Sequence, residues 1–228
     1  MGEGVALVRA VEKSNAFYMI AENYPFMKFN QEMRKVYRSG VLGKALFAEG
    51  EYNHPIICDG PPKETLYLRP TKEHWRNNLP RTYYITHSLG PIMAATGATP
   101  KRVTAFAAFA PFDESLPSSR RCGDRTAVIT MQCDDGCILR VTGCGGYGGH
   151  HNAYRICGTD GQIENLRGMD AKIMLRYNGW TKPEDMEEVN CYDPSWNDPD
   201  EQKIIESGHG GADYITARMF LECIEEGR

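Results

Sequence analysis

What this chain of 228 residues lacks narrows the reading first. No apolar run approaches the ~20 residues that a membrane-spanning helix needs, so no membrane partner is expected. The start shows no basic segment leading into an apolar one, as a secretory leader would, and the chain reads as cytoplasmic. Positive charge is not in excess: 26 Lys and Arg against 30 Asp and Glu leave a net charge of -4. That argues against nucleic acid, whose partners present a basic face. No G-x-G-x-x-G opens a helix, and the glycine-rich stretch 143–151 has the wrong spacing for a dinucleotide loop. It reads instead as a bend or bulge in a sheet. No internal repeat, low-complexity segment or block of like charge occurs.

Cysteine is not scarce, with eight in the chain. Cys137 and Cys157 fall in apolar, strand-like runs, where free thiols are commonly buried, so reduced thiols are expected rather than a disulfide framework. Cys133 and Cys137 flank Asp134-Asp135-Gly136, a hairpin-turn signal. Cys144 with His150 and His151 matches no standard zinc spacing, and no metal site is expected.

Apolar content of 41% and charged content of 25% are those of a globular protein. Residues 4–14 place Val5, Leu7, Val8 and Val11 on a helical period, and 17–21 (FYMIA) reads as a strand. Helix then strand is the rhythm of a parallel α/β unit, here without a second unit. Residues 30–39 predict an amphipathic helix with Gly40 at its end. Residues 43–54 predict a strand with Ala45, Phe47, Glu49 and Glu51 on one face and Leu46, Ala48 and Tyr52 on the other. Strand-length runs follow at 102–109, 126–132, 137–142, 152–156, 162–166 and 172–177, with a hairpin signal at 157–161. Residues 183–199 read as an acidic loop with Trp196 as an anchor, and 214–226 as a helix. The predicted fold is α+β: a large open, mainly antiparallel sheet with helices on one face.

Several places could carry chemistry. In 81–91, Tyr84 and His87 lie three apart, before a helix expected from Ile92 onward. A phenol and an imidazole on one face can both handle protons; equally, His87 could be a buried helix-start residue bonded to backbone. Glu22 and Asn23 follow the strand-like run, where α/β sheets bind ligands, or form a capped turn. His54 closes the strand before Pro55, as a site residue or an ordinary histidine. Residues 55–80, long and proline-rich, suit a lid over a site. Their Lys72, Trp75 and Arg76 suit a sugar or anionic ligand, and equally an ordered surface loop. His209, before two glycines and a helix, is either a ligand contact or a cap.

One ordered set of stretches carries more than spacing does. Ala21-Glu22-Asn23-Tyr24, residues 38–44, the strand 48–54, Tyr84-Ile85-Thr86-His87-Ser88-Leu89-Gly90-Pro91, Gly158-Thr159-Asp160-Gly161 and His209-Gly210-Gly211-Ala212-Asp213-Tyr214 together resemble the later part of a Gfo/Idh/MocA-family oxidoreductase. The resemblance implies an N-terminal Rossmann domain holding NAD or NADP and a C-terminal domain. In the family, the open sheet of that second domain faces the substrate and often forms the subunit interface. By it, residues 1–26 are a Rossmann remnant, the last helix and strand, and 27–228 the substrate and oligomerisation domain. The family's dinucleotide loop and its Glu-Lys-Pro lysine are missing from these residues. The resemblance therefore implies a fragment, or a partner to a separate Rossmann-containing chain, binding no cofactor alone.

Within the family, Tyr-x-x-His-Gly/Ser-Leu-Gly-Pro is most similar to NAD-dependent glycosidases acting on N-acetylgalactosaminides. The motif's tyrosine and histidine fall on Tyr84 and His87, and the histidine closing the preceding strand on His54. A further family tyrosine falls on Phe26, which has no hydroxyl, so a sugar dehydrogenase is the more general expectation. The resemblance implies that His87, assisted by Tyr84, takes a sugar hydroxyl proton, with His54 as a further catalytic residue. Lys72, Trp75, Arg76, Asn23 and His209 would hold a carbohydrate substrate, and Glu22 and Asn23 would border the cofactor. The expected partners are that carbohydrate and further copies of the chain, through the sheet face. A non-catalytic sugar-binding or oligomerisation module is the alternative.

Overall fold

The structure, a computed structural model, describes residues 2–54, 81–109, 124–143 and 149–227. Helix α1 (Gly2–Glu12) leads, followed by an irregular segment and a 3-10 turn at Tyr24–Phe26. Helix α2 (Lys28–Arg38) and strand β1 (Ala45–Asn53) come next. A 3-10 turn, Arg81–Ile85, runs into α3 (Thr86–Thr96). Strands β2 (Pro100–Phe109), β3 (Asp124–Cys133), β4 (Ile138–Gly143), β5 (His151–Gly158), β6 (Gly161–Leu166), β7 (Met169–Tyr177) and β8 (Val189–Tyr192) follow. The chain ends in α4 (Glu201–Glu206) and α5 (Ala212–Glu226).

The strands form one eight-stranded sheet in the order β2-β3-β4-β1-β5-β6-β7-β8. β1 runs parallel to β4, and the other neighbours are antiparallel. The α+β class and the mainly antiparallel sheet are as the sequence predicts. α3 packs on β1, β4 and β5, and α2 on β5, β6 and β7, so both lie over one face. Alternation sends Ala48, Gly50 and Tyr52 of β1 and Asn152, Tyr154 and Ile156 of β5 into that buried layer. The opposite face carries Phe47, Glu49 and Glu51 with Arg140 and Arg155. Glu49 pairs with both arginines, and Glu51 with Arg167 at 2.7 Å and His151 at 3.1 Å. Glu49, Glu51, Arg140, Arg155 and Arg167 line an open trough of about 520 Å³.

The predicted faces of β1 hold from Phe47 onward and fail at its start. A register shift between Ala45 and Phe47 turns Ala45 inward and Leu46 out, because a bulge breaks the two-residue period. Residues 17–21 form no strand. They take no regular structure, with Phe17, Tyr18 and Ile20 exposed, and no strand pairs with them among the described residues. α1 forms as predicted, yet none of its residues is buried. α3 begins at Thr86 rather than Ile92, taking Gly90 and Pro91 into the helix. β8 and α4 fall outside the predicted elements; both are short, and β8 lies within the stretch predicted as loop. Both predicted hairpins form: Cys133 N–H bonds the Cys137 carbonyl at 2.9 Å, and β5 turns into antiparallel β6. Cys133, Cys137, Cys157, Cys191 and Cys223 are free thiols, and burial pushes the Cys137 thiol up to about 11.

Candidate functional site

The site grows from the way α3 meets β1. Gly50 lies under Ser88, so close that a Cβ there would stand 1.9 Å from the Ser88 carbonyl oxygen. No side chain fits, and the helix therefore docks directly on the strand backbone. Pro91 brings a second consequence. It has no N–H to bond the carbonyl four residues back, that of His87. A buried carbonyl needs a donor, and the Tyr154 hydroxyl supplies it, donating to the His87 oxygen at 2.5 Å. The helix start is thus pinned to β5 at the residue that carries the imidazole.

Around His87 the rings close in. Tyr24 stacks on it with centroids 4.0 Å apart and planes within 17°. Tyr84 meets it edge-on at 4.5 Å and Tyr52 at 4.8 Å. Tyr24 is itself held by the turn it sits on: Asn30 Nδ2 donates to its carbonyl at 2.8 Å, and Gln31 Nε2 to that of Pro25 at 2.7 Å. His54 and His150 continue the cluster past Tyr52, with their rings 4.9 Å apart. Asn53 Nδ2 donates to the Gly149 carbonyl at 2.8 Å and so draws the His150 segment to the end of β1.

Two carboxylates serve the histidines. Glu22 Oε1 stands 2.8 Å from His87 Nδ1, oblique to the ring N–H. Burial works to raise the Glu22 carboxyl, but its contacts with His87, Thr86 and the Tyr24 N–H prevail and hold it below the usual carboxylate range. Asp213 Oδ2 lies 2.8 Å from His209 Nδ1, and its Oδ1 accepts from Asn23 Nδ2 at 2.7 Å. Burial raises the Asp213 carboxyl, and bonds from Asn23 and His209 bring it down overall. His209 holds a left-handed backbone with φ of 51°, uncommon for a residue with a side chain. Its ring centroid is 6.4 Å from that of Tyr24.

The structure therefore brings Glu22, His54, Tyr84, His87 and His209 into one neighbourhood, with Asn23 tied in through Asp213. Lys72, Trp75 and Arg76, with the expected lid at 55–80, lie outside the described residues, as do Cys144 and the centre of the glycine-rich stretch. Glu22, expected beside a cofactor, stands as the carboxylate partner of His87. Phe26 packs against the core, while Tyr24 gives the ring against His87. Tyr24, Tyr52, His150 and Asp213 were given no role at this site from sequence. Tyr52 alone had a signal, since its period on β1 puts it on the inner face.

The described residues do not supply a cradle for the phosphates of a dinucleotide. They contain no glycine-rich phosphate loop, and the polar groups of Glu22 and Asn23 are already engaged by His87 and Asp213.

No protein-family model matches the chain. Glycosyl hydrolase family 109 protein 2 of Akkermansia muciniphila is 27% identical over a 251-residue alignment, which covers 97% of this chain and 51% of the relative. Levoglucosan dehydrogenase in complex with NADH and L-sorbose superposes with a TM-score of 0.75 at 18% identity, covering 99% of this chain and 61% of that one. An inositol dehydrogenase homologue from Azotobacter vinelandii complexed with NAD+ gives a TM-score of 0.66 at 15% identity, covering 99% and 59%. The chain thus spans about half the length of the curated relative it matches. It shares the fold of part of these dehydrogenases. No helix among the described residues is long and apolar enough to cross a membrane.

Proposed function

We propose that this chain is the substrate-binding side of a nicotinamide-dependent sugar oxidoreductase or NAD-dependent glycosidase. In this reading residues 1–26 belong with a Rossmann domain and 27–228 form the substrate domain. The observation that carries it is His87, clasped by Tyr24, Tyr52 and Tyr84 with a carboxylate on Nδ1. A carboxylate at Nδ1 favours the tautomer with its proton there and leaves Nε2 as the acceptor. His87 then takes the proton of a sugar hydroxyl, a step of a kind that contributes roughly 10²–10⁴ in rate. Tyr84, against its edge, assists. His54 and His209 orient hydroxyls at the two ends of the ring cluster. Stacked aromatic rings with a few fixed polar groups suit a pyranose, which has an apolar C–H face and a polar rim. When bound, a nicotinamide supplies the hydride acceptor, with Glu22 and Asn23 at its border. The domain that holds its phosphates lies beyond these residues, on the same polypeptide or a partner.

Calorimetric titration of the chain with levoglucosan, L-sorbose, myo-inositol and N-acetylgalactosamine tests the reading. At least one should bind, and His87→Ala should weaken it about tenfold or more while the protein stays folded. NADH alone should leave its fluorescence unchanged. Micromolar NADH binding would contradict the division of labour, and failure of every sugar to bind would sink the sugar site. The alternative, a module for self-association without catalysis, draws on the charged open face of the sheet.

A further inference from the structure

We infer that the chain carries a second saccharide subsite, beyond His209, which takes the unit linked to the sugar at His87. This inference rests on the sugar-site reading and deepens it. A hollow of about 370 Å³, within the usual range for small-ligand sites, opens between the start of α2 and the segment before α5. Phe29, Trp196 and Ile205 make its apolar walls, Lys28 and His209 stand at its polar side, and Asn152 contributes from β5.

The hollow borders the ring cluster at two points. His209 belongs to both, since its ring is 6.4 Å from that of Tyr24, which stacks on His87. Asn152 lies directly across the β1–β5 ladder from Tyr52. A ligand extending from His87 past His209 therefore meets this hollow next.

Its chemistry selects the occupant. Asn152 is 5% exposed, and its Oδ1 is buried with no hydrogen-bond partner among the described residues. Such a group is costly to leave unmatched and calls for a donor such as a hydroxyl. Facing aromatic and aliphatic walls call for an apolar surface. A sugar ring offers both.

The Trp196 wall is fixed rather than loose. Its Cζ2 packs over Gly211, where φ is +100° and a Cβ would come within 2.7 Å of the indole and 2.3 Å of Ile204 Cγ2. The segment after Trp196 is clamped to α5: Arg218 donates twice to Asp198, at 2.9 and 2.7 Å, and Tyr214 donates to Asp200 at 3.0 Å. The Arg218 bonds hold the Asp198 carboxyl down at about 2.

The test compares methyl glycosides of common pyranoses with the matching 1,3- and 1,4-linked disaccharides, by calorimetry on the whole chain. A disaccharide should bind about tenfold tighter than its monosaccharide, the equivalent of about 1.4 kcal/mol. Trp196→Ala should remove that advantage and leave monosaccharide binding in place. Because Trp196 also packs on Gly211, the exposed wall residue is changed separately. Ile205→Glu should cut the disaccharide advantage without disturbing the fold, which thermal unfolding checks. If monosaccharides bind but disaccharides bind no tighter, or if the advantage survives both substitutions, the subsite is refuted and the primary site stands. If wild-type chain binds neither class, the sugar reading falls and this inference falls with it.

Discussion

Strand β1 shows two faces built from the same nine residues, and they satisfy their polar groups in different ways. On the open face Glu49 and Glu51 are matched by Arg140, Arg155, Arg167 and His151, reaching across from β4, β5 and the turn after β6. The guanidinium groups are half in water, with the Arg140 and Arg167 side chains 53% and 64% exposed. On the helix face Gly50 and Tyr52 abut α3, and the polar groups there are held by rings, a proline-freed carbonyl and half-buried carboxylates. The difference teaches where chemistry can be done. Long cations in water adjust to change, whereas a packed ring cluster fixes one imidazole in one place.

Three substitutions sharpen that contrast. Gly50→Ala should have the largest effect, because its methyl collides with backbone rather than a flexible side chain. A loss of about 3 kcal/mol or more is expected in urea unfolding. Wild-type stability in that variant would mean that α3 does not sit on β1 as described. Tyr154→Phe is next. It strips the His87 carbonyl of its donor and should cost about 1–3 kcal/mol, with weaker sugar binding because His87 is no longer pinned. Unaltered stability and binding together would show the hydroxyl to be dispensable. Arg140→Gln on the open face should change monomer stability by less than about 1 kcal/mol, because this arginine is 53% exposed and Glu49 keeps Arg155. The same variant reports on self-association: if copies meet through this face, sedimentation velocity should show the wild type heavier than a monomer and the variant shifted toward one. A wild type that sediments as a monomer at high concentration counts against that interface.

Much of the frame was legible in the sequence. Alternation and turn residues located seven of the eight strands, because a half-covered sheet writes its period of two into the chain. Misreadings came where local pattern met a tertiary event. Ala45 and Leu46 exchange faces because of a bulge that no spacing rule marks. Residues 17–21 have the composition of a strand, but a strand exists only against a partner. The start of α3 was hidden by Gly90-Pro91, which reads as a break. It is tolerated here because Tyr154, 67 residues from His87, supplies the missing donor.

The site divides in the same way. Tyr84 and His87 could be picked out as a pair, since three residues apart on a helical turn is a local relation. Glu22 could be noticed but not given its role, because its distance from His87 is set by how the segment before Tyr24 packs on α3 at Gly90. Asp213 and Tyr24 had no signal of their own, as nothing in a single sequence says which tyrosine will stack on which histidine.

By itself the sequence determined local periodicities: most of the stretches that form helices and strands, which residues of β1 share a face from Phe47 onward, and which residues could handle protons. These are properties of neighbours along the chain. Only the tertiary structure decided which carboxylate meets which imidazole, where the Pro91 defect is repaired and that Trp196 lies beside the same site. Those contacts join residues far apart in sequence, and their energies depend on the packed whole.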